Sequence, residues 1–213
     1  IRPLPRPHTP TKDERERHAL THIPYATWCV HCVKCRGRNL PHRRVEPLPA
    51  AGVVPVISMD FGFLKRSDAE DSVPFIVARD RLTKVTFSHL LKGKSTGVAD
   101  YAPYVTDSLV RGLQYLDYKK MILKSDQGPA ITALQERIRR AGASVGEQTI
   151  QDHSPTEESQ SNGEAEEAIK DVKELLGTLI SALEHEINGR IPQESAVMSW
   201  AVEYASTLIN YFK

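Results

Sequence analysis

Residues 53–63, VVPVISMDFGF, decide how this chain is read. Apolar residues follow one another without alternation, which predicts a strand buried on both faces. Asp60 closes the apolar part of the run. An unpaired carboxylate is costly in such surroundings, and coordination of a cation is one way to offset the cost. Downstream, VPFIVARD (73–80) and TKVTFSHLL (83–91) predict two more strands joined by a tight turn at Asp80–Arg81, a three-strand meander. Residues 100–117 have helical spacing, with Val105, Leu109, Leu113 and Leu116 on one face. KKMILKSD (119–126) predicts a fourth strand ending at Asp126. PAITALQERIRRAG (129–142) predicts a helix stopped by Gly142, and ASVGEQTI (143–150) a fifth strand. A polar loop, 151–161, leads into two closing helices, 162–186 and 192–212. The order β-β-β-α-β-α-β-α-α predicts an α/β fold: a mixed five-stranded sheet with helices on both faces. Open α/β sheets place sites at strand ends, where Asp60 and Asp126 are expected.

Upstream of this unit the composition changes. Residues 1–10 hold four prolines and are expected to be extended. Thr11 is placed to cap a short helix through KDERERHALTH, with Glu14 completing a capping box. PYATWCVHCVKCRG reads as a turn-rich knuckle, and residues 41–52 as the core of a basic, Pro-rich linker. The expected organisation is a small module at 1–40, the linker, and a core at 53–213.

The chain of 213 residues, 40% hydrophobic and 26% charged, suffices for one core and a small satellite. No apolar run approaches a membrane span, and the start lacks the apolar stretch of a signal peptide. The sequence reads as a piece of something longer. Its net charge of +1 is unevenly spread. Residues 1–50 carry 10 basic against 4 acidic side chains, whereas residues 151–213 carry 4 against 12. A basic N-terminal third, including Arg43 and Arg44 in the linker, suits a polyanionic partner.

All three cysteines fall between positions 29 and 35. An odd, clustered set argues against a disulfide framework and for metal binding in a reducing compartment. His18 and His22 are i, i+4 on the expected helix, so both imidazoles share a face. Cys29 and Cys32 have the C-x2-C spacing that presents two thiolates. Two imidazoles and two thiolates make a closed tetrahedral site for one structural Zn²⁺. Cys35 and His31 are spare candidates for the same site.

Three acidic residues stand in unlike contexts: Asp60, Asp126 before Gln127-Gly128-Pro129, and Glu166 at the start of a long helix. Carboxylates from two strands and a helix can converge on two Mg²⁺ or Mn²⁺ ions, the arrangement used for in-line displacement at phosphorus. Should Glu166 point away, Glu164, Glu157 or Asp152 becomes the candidate.

The order of these motifs resembles that of a known family. A His-His-Cys-Cys knuckle precedes SMDFGF, then KSDQG, then Ser154-Pro155, six residues, and N-G-x-A-E at Asn162, Gly163, Ala165 and Glu166. The late segment SWAVEYASTLINY completes the pattern. Over nearly its whole length the chain resembles the integrases of retroelements, closest in flavour to copia-type polyproteins. The resemblance implies an RNase H-like fold, trimming of element DNA 3′ ends, and transfer of those ends into target DNA. It also implies a catalytic, metal-binding triad of Asp60, Asp126 and Glu166, a homo-oligomer on DNA, and action in the nucleus. Lys170 and Lys173, at i+4 and i+7 from Glu166, match positions that touch the element's DNA end in retroviral relatives.

The chain departs from the family pattern in four ways. The interval of 39 residues between Asp126 and Glu166 is longer than usual, with the surplus expected in the loop 151–161. Ala130 and Ile131 stand where an acidic residue is often found. Only six residues separate His22 from Cys29. No C-terminal DNA-binding region is seen. A second reading therefore stands beside the first: a decayed or recruited copy that only binds nucleic acid or a partner. The retained carboxylates favour the first. A third, another RNase H-like nuclease or transposase, is disfavoured by the His/Cys knuckle.

Overall fold

The structure, a computed structural model, describes residues 9–36, 54–65, 72–91, 102–143, 148–153 and 162–212. Arg43, Arg44 and Glu157 lie outside the described residues, as do nearly all of the predicted extended start and the whole of the linker 41–52. Two short helices, α1 (Lys12–Thr21) and α2 (Val30–Arg36), come first. A meander of β1 (Val56–Leu64), β2 (Val73–Asp80) and β3 (Thr86–Leu90) follows. Then come α3 (Ala102–Tyr115), β4 (Lys120–Ser125), α4 (Pro129–Ala143) and β5 (Gln148–His153). The long α5 (Gly163–Glu186) and α6 (Ala196–Phe212) close the fold. Among the described residues no helix is long and apolar enough to cross a membrane.

The sheet order is β3-β2-β1-β4-β5, with β1, β2 and β3 antiparallel and β4 and β5 parallel to β1. This is the expected mixed five-stranded sheet. Its central strands are apolar at consecutive positions because both faces are covered. Phe75 and Val77 of β2 join the buried cluster under α5 and α6. Ile76 and Ala78, with Ile57 and Met59 of β1, join the cluster under α3 and α4. The β2–β3 turn is anchored by Asp80, whose buried carboxylate accepts from the Leu82 and Thr83 amides, the Thr83 hydroxyl (2.6 Å) and the Tyr118 hydroxyl (2.7 Å).

Three features differ from the sequence reading. Asp60 sits in the middle of β1, not at its end. Antiparallel pairing with β2 continues to Leu64, while parallel pairing with β4 is last seen at Ser58–Lys124. The apolar run ends where one neighbour leaves, although the strand goes on. Second, the fifth strand is 148–153, so Asp152 and His153 are paired with β4 instead of looping. An edge strand is bonded on one side only, so its polar sequence carries a weak signal. Third, the knuckle contains a helix, α2, where only turns were expected. The segment VHCVKCR has no Gly or Pro to stop it, and it packs along α5.

Candidate functional site

The parallel register of β1 and β4 pairs Ser58 with Lys124. Continued past its last paired residues, the register points Asp126, just beyond the end of β4, toward Asp60, and the Asp126 charge does act on Asp60. The third acidic residue arrives on α5, whose start is tied to the same spot. The buried Asn162 side chain donates from Nδ2 to the Met59 carbonyl at 3.3 Å, one residue before Asp60. Ala165 and Ala168 are fully buried and bring the helix close to the sheet. Gly62 makes the closeness feasible: a Cβ there would overlap the Phe75 ring and press on Ile169 of α5. The motif N-G-x-A-E thus has a physical account. Asn ties the helix down, Ala packs, and Glu166 projects, exposed, from the first turn. The helix dipole favours an acidic group in that place.

Asp60 is half-buried, and its carboxyl is pushed up to about 6. Burial is the largest cause, and the charges of Asp126 and Glu166 add to it. The Phe61 amide, donating at 2.7 Å, opposes the shift. Asp126 and Glu166 are therefore the acidic groups that Asp60 feels. Glu164 is engaged elsewhere, 2.8 Å from Lys84 and 4.0 Å from the buried Arg79. Arg79 also binds Asp171 at 2.8 Å and the Thr86 hydroxyl at 2.9 Å. Because Glu164 and Asp171 are seven residues apart on one helix face, this clamp fixes the rotation of α5 that leaves Glu166 free. Asp152 lies on β5, across from Lys124.

Three carboxylates, two of whose charges bear on the third, Asp60, fit hard divalent cations, whose preferred ligands are carboxylate oxygens. Among the described residues, though, they are not gathered as tightly as the four His and Cys ligands next described. Lys170 and Lys173 are exposed further along α5.

The His and Cys ligands are all buried, and their donor atoms lie within 4.8 Å of one another. The capping box at Thr11–Glu14 starts α1, and His22 ends it in the left-handed conformation, φ 54°. His18 Nε2 is 3.3 Å from Cys32 Sγ, and His22 Nδ1 is 3.5 Å from Cys29 Sγ and 3.9 Å from Cys32 Sγ. Zinc bond lengths of about 2.3 Å to sulfur and about 2.0–2.1 Å to nitrogen, at tetrahedral angles, put such atoms about 3.6 Å apart. The set fits one zinc ion. Burial holds His22 down to about 4, with His18, His31 and Arg36 adding to it, and holds the Cys32 thiol up to about 11. A bound cation would reverse the second effect by taking the thiolate. The spare candidates turn away. His31 Nδ1 meets Ser181 Oγ of α5 at 3.1 Å, and Cys35 packs one turn further along α2 against Gly177 of α5.

Two residues that build the acidic site were overlooked in the sequence: Gly62 and Arg79. A glycine inside a strand signals a close backbone approach and could have revealed the first. Nothing local marks Arg79, whose acidic partners are over 80 residues away.

No family model matches the sequence, and no curated protein matches it. Solved structures do. The simian T-cell lymphotropic virus intasome, in complex with PP2A regulatory subunit B56 gamma, has a chain 17% identical, with a TM-score of 0.52. The match covers 87% of this chain and 58% of that one, so the chain spans under two thirds of its relative's length. The catalytic core domain of BIV integrase is 19% identical over 74% of this chain and 84% of its own, with a TM-score of 0.46. The HTLV-2 integrase catalytic core domain in complex with magnesium is 14% identical over 76% and 90%, with a TM-score of 0.49. The likeness to the intasome chain shows the fold, an RNase H-like mixed five-stranded sheet with flanking helices, in agreement with the fold that the motifs imply.

Proposed function

We propose that this chain is the zinc-binding and catalytic part of a retroelement integrase, a polynucleotidyl transferase that trims and joins element DNA ends to target DNA. The observation that carries this reading is that the charges of Asp126, past the end of β4, and Glu166, at the start of α5, both bear on Asp60 of β1, within this fold. In this reading the three carboxylates hold two Mg²⁺ or Mn²⁺ ions, which supply activation of the attacking oxygen and stabilisation of the leaving one. Glu166 reaches the site by virtue of Asn162, and Gly62 lets α5 close on the strand that bears Asp60. Lys170 and Lys173 lie along the same helix, where they would bind phosphates of the element's end; Arg43 and Arg44 would add to DNA binding from the linker. His18, His22, Cys29 and Cys32 hold zinc and lock α1 to α2. The chain acts as a homo-oligomer, in the nucleus.

The test is strand transfer on labelled duplexes carrying the element's terminal sequence, with Mg²⁺ or Mn²⁺ added. Asp126→Asn, exposed and at a strand end, is expected to cut the rate at least about 10³-fold, a barrier of about 4 kcal/mol, with an unchanged circular dichroism spectrum. Activity that survives this substitution overturns the reading. DNA binding without any metal-dependent chemistry would favour the binding-only copy instead.

A further inference from the structure

Along α5, beyond the acidic site, a groove of about 580 Å³ opens between the zinc module and the core. Three elements give it lysines: Lys34 from α2, Lys65 just past β1, and Lys173 from α5. All three are exposed, and none forms an ion pair with a carboxylate among the described residues. Arg190, also on the rim, is 3.6 Å from Glu184. Phe63 lines the same groove and is 56% exposed.

The groove is aligned with the acidic site by two independent rulers. Asp60, Gly62 and Leu64 share one face of β1, the face toward α5. Leu64 lines the groove, four residues and about 13 Å from Asp60 at about 3.3 Å per residue. Lys173 lines it from α5, seven residues and about 10 Å from Glu166 at 1.5 Å per residue. Strand and helix therefore lead from the carboxylates into the same channel, which continues along α5 to Ser181, about 22 Å from Glu166. At about 3.4 Å per base pair, that span covers phosphates about three to seven base pairs from the reacting one.

We propose that this groove binds the backbone of the DNA strand leading away from the carboxylates, with Lys34, Lys65 and Lys173 on its phosphates and Phe63 against a base of an unpaired tail. The inference rests on the integrase reading and extends it: the zinc module is part of the DNA-binding surface of its own core. Cations and an exposed aromatic ring lining one groove are the combination that grips an unpaired strand.

The test uses the zinc-loaded full chain and a fluorescent random-sequence duplex of about 20 base pairs, titrated with KCl without added magnesium. Each lysine on a phosphate contributes about 0.9 to the slope of log affinity against log salt, so Lys34→Glu with Lys65→Glu is expected to lower the slope by about two. Phe63→Ala is expected to weaken a tailed duplex about 5- to 100-fold more than a blunt one. Lys12→Glu, on α1 and paired with Glu16, controls for net charge and should leave the slope unchanged. Lys34 neighbours the zinc ligands, so zinc content is measured for each variant, and Lys65→Glu alone, expected to lower the slope by about one, decides if it falls. Equal slopes in wild type and the Lys65 variant overturn the proposal, as does competition by polyglutamate as effective as that by DNA. Strand transfer with lysine-independent binding would sink the groove alone. Lysine-dependent binding without strand transfer would leave the groove standing and sink the catalytic reading.

Discussion

His18, His22, Cys29 and Cys32 fall within fifteen consecutive residues, all buried, whereas Asp60, Asp126 and Glu166 come from three distant parts of the chain and two of them are exposed. The first set is closed: four donors around one point leave no position for anything but the ion. The second is open, with its charges repelling. A site that only holds structure can be built locally and sealed. Under the proposed function the second site has to stay accessible to DNA, and the folded sheet and α5 bear the cost of bringing like charges together.

The sharpest way to break this contrast is to remove zinc. Structural zinc contributes about 10 kcal/mol or more to small modules. A strong chelator should therefore abolish hydrogen-exchange protection in residues 11–36 while the sheet amides stay protected. Equal loss in both regions would show that the module is not locally built. The converse perturbation is Gly62→Val. Overpacking against Phe75 and Ile169 is expected to cost about 1–3 kcal/mol. It should also move α5 away from Asp60, seen as strand transfer falling much further than the melting temperature, with zinc content unchanged.

Asp60 offers a test of the like-charge cost through pH. Its folded value of about 6 lies above the ordinary 3.8, so between these values the folded state retains a proton that the unfolded state has lost. Stability therefore falls as pH rises through that window, and the full penalty applies above it. Asp60→Asn removes the penalty. The expected gain at pH 7.5, discounted for the partial exposure of the group, is on the order of 1 kcal/mol, about 2–4 °C in melting temperature. It should vanish below about pH 4, and saturating magnesium should narrow it at neutral pH. A gain independent of pH would remove the electrostatic account. The smallest effect is expected at Gly177, where a Cβ would meet Cys35 Sγ at an ordinary 3.5 Å. Gly177→Ala should raise thermal stability by about 0.5–1 kcal/mol through helix propensity. A loss would show that the α2–α5 contact is tighter than these distances allow.

The two sites also differ in how far they can be read from sequence. The Thr11–Glu14 capping box forms both its bonds, at 2.7 and 3.2 Å, and the i, i+4 histidines meet the C-x2-C pair as their spacing implies. That is local geometry, set by helix pitch and a short loop. The helix inside the knuckle escaped notice because a C-x2-C pair reads the same on a turn and on a helical turn. For the carboxylates, local pattern located the residues but misplaced Asp60 at a strand end, since where each neighbour stops is a property of the sheet. Choosing among the acidic residues of α5 rested on a motif; the structure supplies a cause, because Lys84 and Arg79 engage Glu164.

By itself, then, the sequence determined the strand and helix order of the core, the grouping of the four His and Cys residues and the identity of the acidic candidates, because periodicity, capping and ligand spacing act over a few residues. Tertiary structure alone decided that Asp60 lies mid-strand within reach of the Asp126 charge, that Asn162 and Gly62 bring α5 down on β1, and that α2 packs on α5 to form a lysine-lined groove. Those relations depend on register and close packing between segments far apart in the chain, and no short-range pattern encodes them.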